Sequence, residues 1–144
     1  EFLDIRAAYR VLHGEDLVDT IKIDPEHHRY QVEHELRSRL LRLREHYVSA
    51  QNDRRALTRL LVQSLPSFAT LLRHALILKG DQPSSIKHEI FQRAAEQFSI
   101  SEKPFKLILG LRQGTERLDT HAIHSVFDDY VLQITKTAEI VDRL

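Results

Sequence analysis

The chain of 144 residues contains no cysteine, methionine or tryptophan, and only four glycines and four prolines. The absence of cysteine excludes disulfides, thiolate zinc sites and cysteine nucleophiles, and it is typical of a cytoplasmic protein. The 21 Lys and Arg residues balance 21 Asp and Glu residues, which excludes a uniformly basic nucleic-acid binder. Uninterrupted apolar runs are short, so we expect no membrane-spanning segment. Because even position 1 is not methionine, we expect a fragment of a longer protein.

The spacing of the apolar residues predicts a purely helical fold. Glycine and proline are too scarce for a protein with many turns, and apolar residues recur every three or four positions, as on one face of a helix. We therefore predict an all-α fold, an irregular helical bundle of four main helices plus shorter ones, over residues 24–144. Ahead of it, residues 2–5 are compatible with a short strand and residues 7–12 with a helical turn.

Capping residues predict where the helices begin. Asp24 and Pro25 start a helix that extends to about Gln51, because aspartate is a strong N-cap and proline suits the first helical position. Pro66 has no backbone N–H to donate, so the second helix is expected to kink or restart there. The expected caps of the helices after the first are Asp53, Ser84 or Ser85, Ser101, and Asp119 or Thr120.

The first long helix carries apolar residues on two faces. The predicted core face consists of Val32, Leu36, Leu40, Leu43 and Tyr47. A second face carries Tyr30, Leu41 and Val48. A helix of this kind is either central in its bundle or shared with another subunit. A homodimer that packs on the second face, with a purely structural role, is therefore one expectation.

No complete catalytic motif is present in the sequence. The four glycines do not form a loop that cradles phosphate, and neither a GxSxG nucleophile elbow nor an HExxH metal helix occurs. Asp128 and Asp129 are adjacent, so on a helix their side chains point about 100° apart and do not share a metal ion. The residues alone leave open whether the protein is an enzyme.

Arginines form the most suggestive feature of the sequence. Seven arginines and two acidic residues lie between positions 37 and 59, a local excess of five positive charges. The candidate phosphate-binding residues are Arg37, Arg39, Arg42, Arg44, Arg54 and Arg55. Guanidinium binds phosphate through two parallel hydrogen bonds, so the cluster suits a nucleotide or an RNA backbone. The alternative is a surface paired internally, through Glu35 with Arg39 and through the acidic segment 115–144.

Four segments resemble nucleotidyltransferase-like proteins of the DNA polymerase β superfamily. They are EFLDIRAAYRVLHGED, EHELRSRLLRLREHY, LPSFATLLRHALILKG and FDDYVLQITKTAEIVDRL. The family's catalytic pattern, a Gly-Ser helix start followed by an Asp-x-Asp strand, is not in this sequence, so no catalytic residue is carried over.

This resemblance implies that catalysis belongs to another domain of the same protein. Residues 1–23 would be the junction from a missing upstream catalytic domain, and residues 24–144 its accessory helical domain. The accessory domain would contribute to substrate binding, pack on the catalytic domain or dimerise. Magnesium and a nucleoside triphosphate are implied for the missing domain, and the chain would be part of a nucleotidyltransferase-like enzyme.

A second resemblance involves Arg39 and His46. Their spacing is similar to the Arg-x(4–6)-His motif of HEPN (higher eukaryotes and prokaryotes nucleotide-binding) ribonucleases, which are also helical bundles. It implies that the histidine moves a proton while the arginine stabilises phosphate charge. Leu40 departs from that pattern, because the family usually has a polar residue after the arginine.

His121, His124 and Asp128 form a candidate metal site. They lie at i, i+3 and i+7 of the last predicted helix, on the face opposite Ile123 and Phe127. Two imidazoles and a carboxylate at this spacing suit zinc or nickel, with a fourth ligand unidentified. The alternative is an exposed polar helix face without a metal.

Overall fold

The structure, a computed structural model, describes Arg10, Val11, Lys22 and residues 24–144. In this part the chain forms five helices and no strand: α1 (Pro25–Ala50), α2 (Arg54–Leu78), α3 (Lys87–Phe98), α4 (Lys103–Gln113) and α5 (Thr120–Asp142). The predicted all-α bundle is thus confirmed. The strand expected at residues 2–5 lies outside the described residues, and so does almost all of the turn expected at 7–12 and of the junction expected at 1–23.

Aspartates cap the three long helices as predicted. The carboxylates of Asp24, Asp53 and Asp119 each accept a hydrogen bond from a backbone N–H two or three residues later, at 3.1, 2.8 and 2.7 Å respectively. The first turn of a helix has N–H groups without helical partners, and such caps stabilise it by about 1 kcal/mol each.

Serines precede the two short helices but do not occupy their N-cap positions. Helix α3 begins at Lys87, and its N-cap is Ile86, which provides no side-chain hydrogen bond. The hydroxyl of Ser84 instead accepts from the N–H of Ile86 at 3.0 Å. Ser101 likewise stands one residue ahead of the N-cap of α4. The prediction that Ser84 or Ser85 caps α3 is therefore wrong, because Ser84 accepts a hydrogen bond in the turn that leads into the helix. Ser101 is not at the N-cap position of α4, but its hydroxyl accepts from the N–H of Lys103, the first residue of the helix, at 3.3 Å, as a capping side chain does.

Helix α2 runs through Pro66 without a restart. Of the two expected outcomes, a kink or a restart, the restart is therefore wrong and the kink stays a prediction. Pro66 leaves the carbonyl of Val62 without its usual helical donor. Buried side chains on both sides of the proline continue one face of the helix: Leu61, Leu65, Phe68 and Leu72 are each at most 2% exposed. Their burial, at about 1.5–3 kcal/mol for each side chain, outweighs the cost of one missing hydrogen bond.

Helix α2 is the centre of the bundle and contacts each of the other four helices. By length and composition alone it is also apolar enough to cross a membrane, and half of its apolar window is buried inside the bundle. The core helix of a bundle has the same composition, so this property does not place the chain in a membrane.

Helix α1 lies at the side of the bundle and packs on α2 and α5. Its predicted core face is confirmed, since four of the five side chains are buried and Tyr47 is half-buried. On the second face Tyr30, Leu41 and Val48 are 59%, 59% and 65% exposed. The second face does not contribute to the core, so α1 is not central; sharing with another subunit stays a prediction.

Candidate functional site

A groove of about 240 Å³ lies between α1 and α2. Its polar lining residues are Arg39, Arg42 and His46 of α1 and Gln63, Ser64 and Ser67 of α2. We call this site the α1–α2 groove. It combines two of the predicted phosphate-binding arginines with the histidine of the predicted Arg–His pair.

The helical repeat explains why these side chains meet. Arg39, Arg42 and His46 stand at i, i+3 and i+7, so they share one flank of α1. Gln63 and Ser67 stand at i and i+4 on the facing helix. The apolar floor of the groove is formed by Leu43, Leu60 and Phe68.

The groove is a cationic site with neutral hydrogen-bond donors. No Asp or Glu is among its lining residues. Arg39 donates from its Nε to Glu35 at 3.1 Å, which leaves the N–H groups of its two terminal nitrogens for other acceptors. Arg42 is exposed and forms no ion pair with any described residue. The arrangement suits an anion with several oxygen acceptors, such as phosphate.

The hydroxyl of Ser64 connects the groove to a buried tyrosine. Ser64 donates to the carbonyl of Leu61 at 2.8 Å, so its oxygen accepts the hydrogen bond from the hydroxyl of Tyr130, 3.2 Å away. Tyr130 is fully buried, and this burial raises its pKa well above the ordinary value, against a smaller opposing effect of Ser64. The Ser64 hydroxyl therefore connects α2 to α5. Because its proton is donated to the carbonyl of Leu61, it is not a donor for a ligand in the groove.

Tyr130 is expected to make the protein less stable at alkaline pH. The unfolded chain releases the tyrosine proton near pH 10, whereas the folded chain retains it. The contribution of Tyr130 to the free energy of unfolding is therefore fully present below that pH. Above it, the free energy of unfolding falls by about 1.4 kcal/mol per pH unit. Urea unfolding of the wild type and of Tyr130→Phe at pH 9, 10 and 11 measures this loss. Equal slopes in the two proteins would contradict the expectation.

Arg37 pairs with acidic residues outside the groove. It donates to Glu33, which raises the pKa of Arg37, and its Nη2 lies 3.8 Å from a carboxylate oxygen of Asp142. Asp142 belongs to the acidic segment 115–144 that the sequence suggested as a complement. Arg37 thus follows the alternative of ion pairs within the chain.

The remaining arginine candidates also lie outside the α1–α2 groove. Arg44 donates to the hydroxyl of Thr135 at 3.4 Å, and Arg54 donates to the carbonyl of Leu118 at 3.1 Å. Arg55 is exposed at the start of α2. Of the six predicted phosphate-binding residues, the structure brings together only Arg39 and Arg42.

The candidate metal residues do not converge. The Nδ1 atom of His124 is 2.8 Å from the hydroxyl of Tyr47, and Phe127 stacks on the same tyrosine at 4.1 Å between ring centroids. His124 therefore lies beside Phe127, not opposite it as expected, while His121 and Asp128 are exposed. Among the described residues no group of three or more His, Asp or Glu side chains is placed to hold a metal ion.

Sequence reasoning missed Gln63 and Ser67 as groove residues. The signal for them was weak but present, since they are polar residues spaced i, i+4 in a helix that is otherwise mainly apolar. Polar residues on such a helix mark the side that is not covered by the core.

Comparisons of the chain with protein-family models, curated proteins and solved structures found no match. The resemblances to nucleotidyltransferase-like proteins and to HEPN ribonucleases therefore stay predictions from the sequence.

Proposed function

We propose that this chain is a helical binding domain that holds a phosphate group of a nucleotide or RNA in the α1–α2 groove. The observation that supports the proposal is the convergence of Arg39, Arg42 and His46 on a groove whose lining contains no carboxylate. A guanidinium offers a planar pair of donors that matches two phosphate oxygens, and Gln63 adds amide donors from the opposite wall.

In the proposal the domain serves a nucleotidyltransferase-like protein as its accessory part. Three of the four segments that carry this resemblance fall on α1, α2 and α5, and two of these helices line the groove. The upstream catalytic domain would supply magnesium and the nucleoside triphosphate. The groove would then hold the phosphates of that nucleotide or of the acceptor substrate beside the catalytic domain.

Replacing Arg42 by glutamine is expected to weaken phosphate binding by about 10–100-fold, because a charge-assisted hydrogen bond contributes about 1.5–3 kcal/mol. Isothermal titration with a nucleoside triphosphate, and with a short single-stranded RNA, measures the effect. Arg55→Gln is the matched control, since it removes an exposed arginine of α2 that does not line the groove. Its affinity is expected to equal that of the wild type.

Equal losses in the two variants would indicate nonspecific attraction and would reject the groove as the site. Absence of binding by the wild type at low salt would reject the proposal altogether, because ionic binding of phosphate is strongest there. Circular dichroism of each variant confirms that the helices are intact before the titration is interpreted.

A ribonuclease is the second candidate function. Arg39 and His46 line the same groove, as proton transfer by the histidine and phosphate stabilisation by the arginine would require. The RNA recovered from the titrations distinguishes the two functions. Cleavage by the wild type that disappears in His46→Ala supports the ribonuclease, and intact RNA in all samples dismisses it.

A further inference from the structure

The second apolar face of α1 forms an exposed stripe. We call it the outer face and define it by Tyr30, His34, Leu41, Glu45 and Val48. These positions stand at i, i+4, i+11, i+15 and i+18, which places them within about 60° of one another around the helix. The rings of Tyr30 and His34 stack with 6.0 Å between their centroids.

The outer face is separate from the α1–α2 groove. Arg39 follows Tyr30 by nine residues, so its side chain leaves the helix on about the opposite side. A protein bound to the outer face would leave the groove open, and a ligand in the groove would leave the outer face open. An inference about this face therefore does not depend on the proposed function.

Charge is distributed unevenly along α1. On the side of the helix that carries the outer face, within about 60° of Tyr30, the first half has Glu26 and Glu33, whereas the second half has Arg37, Arg44 and Glu45. Two copies of α1 in parallel would place arginines over arginines. Two copies in antiparallel orientation place the acidic half of each helix over the basic half of the other.

We propose that the outer face binds a second copy of this chain, with the two α1 helices antiparallel about a two-fold axis. Such an interface uses the same surface on both copies, and α1 is complementary to itself in charge. With the axis near the middle of the helix, Tyr30 packs against Val48 of the other copy and His34 lies beside Glu45. The two Leu41 side chains meet close to the axis.

Leu41→Arg is expected to weaken the dimer by at least about tenfold, because each new guanidinium lies beside Arg37 of the other copy near the axis, and like charges repel. Sedimentation equilibrium over a range of protein concentrations measures the dissociation constant. Leu132→Arg is the matched control, since Leu132 is an exposed leucine of α5, 47% accessible. A monomeric wild type, or equal weakening in both variants, would overturn the proposal.

Cross-linking between introduced cysteines tests the orientation of the two helices. The sequence contains no cysteine of its own that would react in competition. We expect a mixture of Tyr30→Cys and Val48→Cys chains to cross-link through a short bismaleimide several-fold more than either variant alone. Leu132→Cys provides the background level. Stronger linkage of Tyr30→Cys to itself would indicate parallel helices and overturn the antiparallel arrangement, as would linkage no higher than background.

Discussion

Replacing Phe105 by alanine is expected to lower the free energy of unfolding by about 3–5 kcal/mol. The ring is completely buried, stacks on Phe91 with 5.0 Å between centroids, and meets the edge of Tyr130 at 5.4 Å. It therefore holds α3, α4 and α5 together, and its removal leaves a cavity among rigid aromatic neighbours. Urea unfolding followed by circular dichroism measures the loss.

Leu109→Ala is the control for this prediction. Leu109 lies on the same helix as Phe105 but is only half-buried, so its truncation removes less buried surface. We expect a loss of about 1 kcal/mol there, in proportion to the apolar area removed. A loss for Phe105→Ala no larger than that of Leu109→Ala would show that the aromatic cluster contributes little to stability.

Replacing Pro66 by alanine is expected to raise the free energy of unfolding by about 2–2.6 kcal/mol. Proline inside a helix is about 3 kcal/mol less favourable than alanine, and the alanine N–H restores the missing hydrogen bond to Val62. The more flexible unfolded chain of the variant offsets about 0.4–1 kcal/mol of this gain. Thermal unfolding monitored at 222 nm is the measurement.

Lys136→Ala, at an exposed position inside α5, is the corresponding control, and its effect is expected to stay within about 0.5 kcal/mol. A lower melting temperature for Pro66→Ala would contradict the prediction. It would mean that packing of the half-buried proline ring outweighs the restored hydrogen bond.

The sequence was informative at the starts of the three long helices, where local chemistry decides the structure. Asp24, Asp53 and Asp119 were recognisable as caps because their carboxylates act on backbone groups two or three residues away. Of the two alternatives predicted at Pro66, a kink or a restart, the structure excludes the restart, for the opposite reason. The burial of leucine and phenylalanine on both sides of the proline depends on neighbouring helices, which a local rule does not include.

The α1–α2 groove was only partly predictable. The sequence contained the arginine cluster, but the flank that faces α2 depends on how α1 is rotated in the bundle. That rotation turns Arg39 and Arg42 toward the groove and leaves Arg37 near Asp142. Gln63 became a site residue only because α2 presents it to α1.

The central position of α2 also determines how the molecule opens. Each of the other helices rests on α2, so none of them detaches without wetting part of its apolar surface. We expect the described bundle to unfold as one cooperative unit, with no separately stable half. A ligand seated against α2 would accordingly slow the opening of every helix at once, including those that it never touches.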